Sequence, residues 1–199
     1  FDYWFEYKNV IPRGFTRVLG KLAELTDSGI PIYFFIGNHD IWLTDYLANE
    51  CGLIIRKKPV IKEIDGHTFY LAHGDGLGNE SQSFSFIRKI YHNEFLRVLY
   101  AAIHPRWTVA FASWWSNYSR MSEEDTPYQG EENESLIRFA KQTLAEQPHI
   151  NYFVFGHRHI MLNLPIGQNA SVVILGDWMN HFSYAVFDGE TIEVKQFEQ

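Results

Sequence analysis

At 199 residues, 46% of them apolar and 17% aromatic, the chain can bury a substantial core as one domain, or as one domain carrying an insertion. A formal net charge of -7 argues against nucleic acid as a partner, and the single cysteine, Cys51, excludes both an internal disulfide and a thiolate metal cluster. No apolar run reaches the roughly 18 residues that a membrane-spanning helix needs, and the cysteine count suits a reducing compartment.

Residues 11–28 set Phe15, Val18, Leu19, Leu22 and Leu25 three and four apart, which predicts an amphipathic helix closed by Ser28-Gly29 ahead of Pro31. Ile32 to Ile36 reads as a buried strand that runs straight into Gly37-Asn38-His39-Asp40. A short helix over 41–51, ended by Gly52, comes next. The stretch VIKEIDGHTFYLAHGD then reads as a hairpin turning at Asp65-Gly66, its second arm ending in His73-Gly74-Asp75.

Residues 84–120 predict helix and differ in composition from their surroundings. Arg88, Lys89, Arg97, Arg106 and Arg120 stand against Glu94 alone, mixed with Phe95, Tyr100, Trp107, Phe111, Trp114 and Trp115. Two readings follow: a surface for a membrane interface or acyl chains, or a helical pair that packs its aromatics inward and leaves its basic residues solvated. A further helix is expected over 131–147, with Pro148 after it. The remainder is β-rich: INYFVFGHRH, IMLNLP, SVVILGDW, and a last hairpin turning at Asp188-Gly189.

Three of these strands end alike, in Asn38-His39-Asp40, in His73-Gly74-Asp75 and in Gly156-His157-Arg158-His159. In open α/β sheets ligands bind at the carboxyl ends of strands, where successive loops converge. Imidazoles with an amide oxygen and no sulfur suit manganese, iron or zinc and suit calcium poorly. His157 and His159, two apart, could serve two adjacent ions. Each motif alone is commonly a turn or loop; their succession at strand ends points to a shared metal site. His67, His92, His104 and His149 read as surface or packing residues, whereas His181 follows a strand end and could approach the site.

GNHD, HGD and GHRH, in this order, resemble the later motifs of the calcineurin-like metallophosphoesterases. Within that superfamily FDYWFEY, AHGDGLG and ILGDWMNHFSYAVFDG are most similar to the bacterial UDP-2,3-diacylglucosamine hydrolases of lipid A synthesis. The resemblance implies an α/β fold: a β-sandwich flanked by helices in four layers (α/β/β/α), one domain over 1–199 with 84–120 as a helical lid inserted in it. It also implies two divalent ions, manganese foremost. Asn38, His73 and His157 match ligands of one ion and His159 a ligand of the other. His39 matches a residue that holds or protonates the phosphate, and Asp40 would orient its ring. Glu80, Trp114 and Trp115 are the weaker candidates for substrate contact. The implied partner is a phosphorylated small-molecule or lipid substrate, with membrane contact through 84–120. Together with the cysteine count, the resemblance makes a cytoplasmic place the expectation, on the cytoplasmic face of the inner membrane; no oligomeric state follows.

The chain also departs from the pattern. The family opens with a D-x-H motif on its first strand and a G-D motif on its second. Phe1-Asp2 resembles the continuation just after that G-D, so the expectation is that both strands lie upstream; the alternative is a non-catalytic relative. His39 stands where the hydrolases usually carry Arg, and GLGNESQ leaves Glu80 where they carry an acidic pair.

Overall fold

A computed structural model describes residues 4–40, 42–78, 93–108, 110, 111, 114 and 127–198. The chain divides into two compact units, Phe1–Lys57 with Ser81–Glu123, and Lys58–Glu80 with Glu124–Gln199.

In the first unit, α1 (Thr16–Asp27) turns Leu19 and Leu22 onto a core of Trp4, Leu43, Leu47, Cys51 and Leu53. Val18, expected on the same stripe, is 52% exposed. The helix stops where expected: the Gly29 amide bonds the Thr26 carbonyl at a φ of 89°, a conformation glycine adopts without steric cost. β1 (Tyr33–Phe35) runs parallel to β2 (Ile54–Arg56), and α2 (Tyr46–Asn49) lies between them in sequence. Gly52 is required between α2 and β2. Its φ is 68°, and a Cβ there would lie 2.8 Å from the Thr26 hydroxyl, which donates to the Cys51 carbonyl.

Of the helix expected over 41–51, the described residues form Tyr46–Asn49. The reason is a buried carboxylate. Glu6 accepts from the amides of Thr44 (2.6 Å), Asp45 (2.7 Å) and Tyr46 (3.1 Å), so residues 44–46 form a capped helix entry. Trp4 Nε1 and the Thr44 hydroxyl also donate to Glu6. Burial alone would raise the Glu6 pKa, but these bonds, from the Thr44 hydroxyl and Trp4 foremost, hold it below its ordinary value.

Of 84–120, expected to be helical, the described residues form helix at 94–102 and again at 105–108, with a break at Ile103 and His104. α3 (Glu94–Ala102) is capped by Asn93, whose side chain accepts from the Phe95 and Leu96 amides. Tyr100 packs at 4.7 Å from Trp42 and 5.0 Å from Phe5, and Tyr7 bonds the Thr108 hydroxyl. Phe95, Val98, Leu99, Trp107, Phe111 and Trp114 stay exposed.

The second unit is layered. β3 (Val60–Ile64) and β4 (His67–Ala72) form the expected hairpin, with positive φ at both Asp65 and Gly66, the primed turn that matches strand twist. They join β5 (Tyr152–Phe155), β6 (Met161–Pro165) and β7 (Ser171–Leu175) in one sheet of order β3-β4-β5-β7-β6, in which β4, β5 and β7 run parallel. Alternation sorts the side chains between the two faces. Tyr70, Phe153, Phe155, Val172 and Ile174 pack against Leu136, Ile137 and Ala140 of α4 (Ser135–Glu146). Phe69 and Val173 face the other way, against Ile192, Ala185, Phe187 and Val194 of the closing hairpin, β8 (Ser183–Phe187) and β9 (Ile192–Gln196). Full burial of each large side chain contributes about 1.5–3 kcal/mol, so this two-faced sheet is a rigid base for the loops at its rim.

Candidate metal centre

Because β4, β5 and β7 are parallel neighbours, their carboxyl ends lie along one edge, and each ends in chemistry-bearing residues: His73 after β4, His157 and His159 after β5, Asp177 and His181 after β7. His73 and His157 are brought together, with ring centroids 5.5 Å apart at 58°. Their loops are bonded through the Gly156 amide and the His73 carbonyl at 2.9 Å. Gly74, at a φ of 116°, allows this approach, since a Cβ there would meet the His157 Cβ at 3.3 Å.

His157 itself has a φ of 60°, and the Arg158 amide bonds the Gly156 carbonyl across it at 2.6 Å. This is a γ-turn with a non-glycine residue in the left-handed region, which costs on the order of 1–3 kcal/mol and persists only where the surroundings enforce it. The Arg158 guanidinium forks onto Glu134, with Nε to Oε2 at 3.1 Å and Nη2 to Oε1 at 2.9 Å.

His159 faces a different carboxylate. Its Nδ1 lies 3.9 Å from Asp177 Oδ2, and the same oxygen accepts from His181 Nδ1 at 2.7 Å. Asp177 Oδ1 accepts from the amides of Met179, Asn180 and His181, closing a tight turn. Burial would raise the Asp177 pKa, but the Asn180 amide, the His181 ring and the Met179 and His181 amides outweigh it and bring it to about 2. A fixed negative charge therefore sits behind both imidazoles. Asp177 is a site residue that the three sequence motifs do not include; its signal is an Asp two residues past a strand end with His four residues on.

Asn38, His39 and Asp40 belong to the first unit, directly beyond β1. Asp40 is buried, and its side chain accepts from the Gly37 amide, while the His39 carbonyl accepts from the Trp4 amide at 3.4 Å. Asp40 thus shapes the turn that carries Asn38 and His39. Trp114 is 58% exposed and packs on Phe111, whereas Glu80 and Trp115 lie outside the described residues. Arg138 and Lys141 serve α4 locally, Lys141 pairing with Glu131 and Glu132 and Arg138 donating to the Glu132 carbonyl.

Among the described residues no three His, Cys, Asp or Glu side chains form a group that could by itself hold an ion. The His73 and His157 pair nevertheless fits part of a divalent centre. An ion bound at about 2.1 Å from an imidazole nitrogen lies roughly 3 Å from the ring centre, and two rings sharing it stand about as far apart as these do. Imidazole nitrogens suit a transition ion, and Asp177, bonded to His181 Nδ1 at 2.7 Å, is the kind of carboxylate partner that commonly orients such a ring.

Residues 5–161 match the calcineurin-like phosphoesterase family. The whole chain is 45% identical to a UDP-2,3-diacylglucosamine hydrolase of Porphyromonas gingivalis, covering 80% of that protein. It is 28% identical to the protein of that name from Photobacterium profundum over 92% of the chain and 76% of the relative. The one from Edwardsiella ictaluri is 25% identical over 98% of the chain and 75% of the relative.

Proposed function

The chain belongs to the calcineurin-like phosphoesterase family of metal-dependent hydrolases, and we propose that it hydrolyses the pyrophosphate of UDP-2,3-diacylglucosamine. Water adds to the uridine-linked phosphorus as the bridging P–O bond breaks, giving UMP and 2,3-diacylglucosamine 1-phosphate. The likeness over the whole chain to a hydrolase of that name carries the reading.

Following the family pattern, Asn38, His73 and His157 hold one divalent ion and His159 belongs to a second, with manganese the preferred metal. The bound ions supply Lewis acidity to activate water and offset charge on the phosphoryl oxygens. The chain's own residues do the rest. His39 donates to a phosphoryl oxygen, and Asp40 holds the turn from which it projects. Asp177 holds the His181 ring through the 2.7 Å bond to Nδ1 and places a negative charge 3.9 Å from His159 Nδ1.

The exposed apolar residues of 93–114 suit acyl chains, and the excess of basic residues in 84–120 suits an anionic membrane surface on the cytoplasmic side. Trp114→Ala is expected to raise KM for the diacylated substrate several-fold and to leave a short-chain phosphodiester unaffected; equal effects on both would assign Trp114 to packing.

The deciding assay follows UMP release from UDP-2,3-diacylglucosamine by the full-length protein, in manganese and in EDTA, with bis-p-nitrophenyl phosphate in parallel. Manganese-dependent cleavage of the lipid substrate supports the proposal. Cleavage of the simple diester alone would discard the substrate and retain the metal chemistry, and cleavage of neither would favour a non-catalytic relative.

A further inference from the structure

The Arg158 side chain lies between the two histidines of the GHRH turn, yet it reaches back into the protein. Its guanidinium makes two bonds to Glu134, a carboxylate whose side chain is 4% exposed, and a third to the Pro127 carbonyl at 3.4 Å. Glu134 also accepts from the Gln129 amide at 3.2 Å and stands at the N-terminus of α4. One fork therefore ties three pieces of chain together: the turn after β5, the start of α4, and residues 127–129.

With Glu134 buried and the Arg158 side chain 20% exposed, the pair is a poor source of stability, because desolvation, of the carboxylate above all, offsets much of the attraction. What it provides is geometry. The bidentate match of guanidinium to carboxylate fixes distance and orientation in a way that an apolar contact or a lysine does not. The residue next to this anchor is the strained one. His157 holds its positive φ under the 2.6 Å bond from the Arg158 amide to the Gly156 carbonyl, and a histidine released from such a turn relaxes to negative φ and carries its ring elsewhere.

Resting on the metal reading given above, we propose that the Arg158–Glu134 pair is a positioning device that holds His157 in its ligating conformation. Arg158 and Glu134 act through the backbone of the turn and do not touch the ion. The pair also makes the metal-binding turn sensitive to residues 127–134, where the chain returns from the insertion, so a displacement there is passed to His157.

The test uses full-length protein stripped with EDTA and titrated with Mn2+, following affinity by calorimetry and the Mn2+ spectrum by electron paramagnetic resonance, with the melting temperature of the metal-free form measured alongside. The double variant E134Q/R158M removes both charges, so no unpaired charge is left buried; R158K retains the charge and loses the fork. Both are expected to melt near the parent when metal-free and to bind Mn2+ about 10-fold or more weakly, with a broadened spectrum. Parent-like Mn2+ affinity in the double variant overturns the proposal. Affinity and metal-free stability falling together would also overturn it, in favour of a simple packing role. A parent protein that binds no Mn2+ would remove the metal reading itself, and the proposal with it.

Discussion

Asp177 shows how one residue can organise a strand end. Its two oxygens accept from three backbone amides and one imidazole, and the group titrates at about 2 instead of 3.8. A depressed carboxylate pKa means that the unfolded chain takes up its proton first. The stabilisation is therefore complete above about pH 4 and is lost as pH falls through about 2, and its size from the shift is on the order of 2 kcal/mol. Asp177→Asn keeps the oxygen that caps the turn but loses the charge. The expected outcome is a loss of about 1–2 kcal/mol near neutral pH, with a flatter decline between about pH 4 and pH 2, read from urea denaturation across a pH series. An unchanged acid limb would mean that the carboxylate is not depressed. Neither this turn nor the Arg158 fork was legible beforehand, because GDWMNH and GHRH show which residues are present and not which bonds they make; Glu134 lies 24 residues from Arg158.

At the scale of elements, legibility followed the range of the interactions that set each boundary. The hairpin at Asp65-Gly66 and the end of α1 at Gly29 are local decisions, made by residues whose φ is positive and by amides a few residues away. They were readable for that reason. So were the strands that end in HGD and GHRH, since the switch from apolar alternation to polar residues marks the rim of a sheet. The local pattern predicts helix over 41–51, and among the described residues the structure forms one over Tyr46–Asn49, because Glu6, 38 to 40 residues distant, collects the amides of residues 44–46. No window of local sequence contains that information. The same bonds make Glu6 energetically prominent. Glu6→Gln retains one carbonyl oxygen but loses the charge and presents an NH2 to donors, so a loss of about 2 kcal/mol is expected in chemical denaturation. A change below about 0.5 kcal/mol would show that α2 is held by the packing of Leu47 and not by its cap.

At the scale of the molecule, the proposed metal ligands His73 and His157 are different residues from Glu6, which caps α2, so metal binding and this part of the stability can be measured apart. A ligand that binds only the folded state stabilises it by about 2.7 kcal/mol at a free concentration 100 times its dissociation constant. For a chain of this length each kcal/mol moves the melting temperature by about 2–4 °C. Saturating Mn2+ is therefore expected to raise the melting temperature of the stripped protein by about 5–10 °C, and EDTA to reverse the rise. His73→Ala and His157→Ala remove rings that are only half-buried at the sheet rim, so each is expected to melt near the parent without metal, to lose the rise, and to lose metal-dependent hydrolysis. Glu6→Gln should do the reverse, with a lower metal-free melting temperature and an undiminished rise. If His73→Ala kept the full rise, the ion would be held by other donors and the pairing of His73 with His157 would be packing alone. If Glu6→Gln lost it, folding of the 4–57 segment and metal binding would be one event, coupled through Asn38, the ligand proposed in that segment.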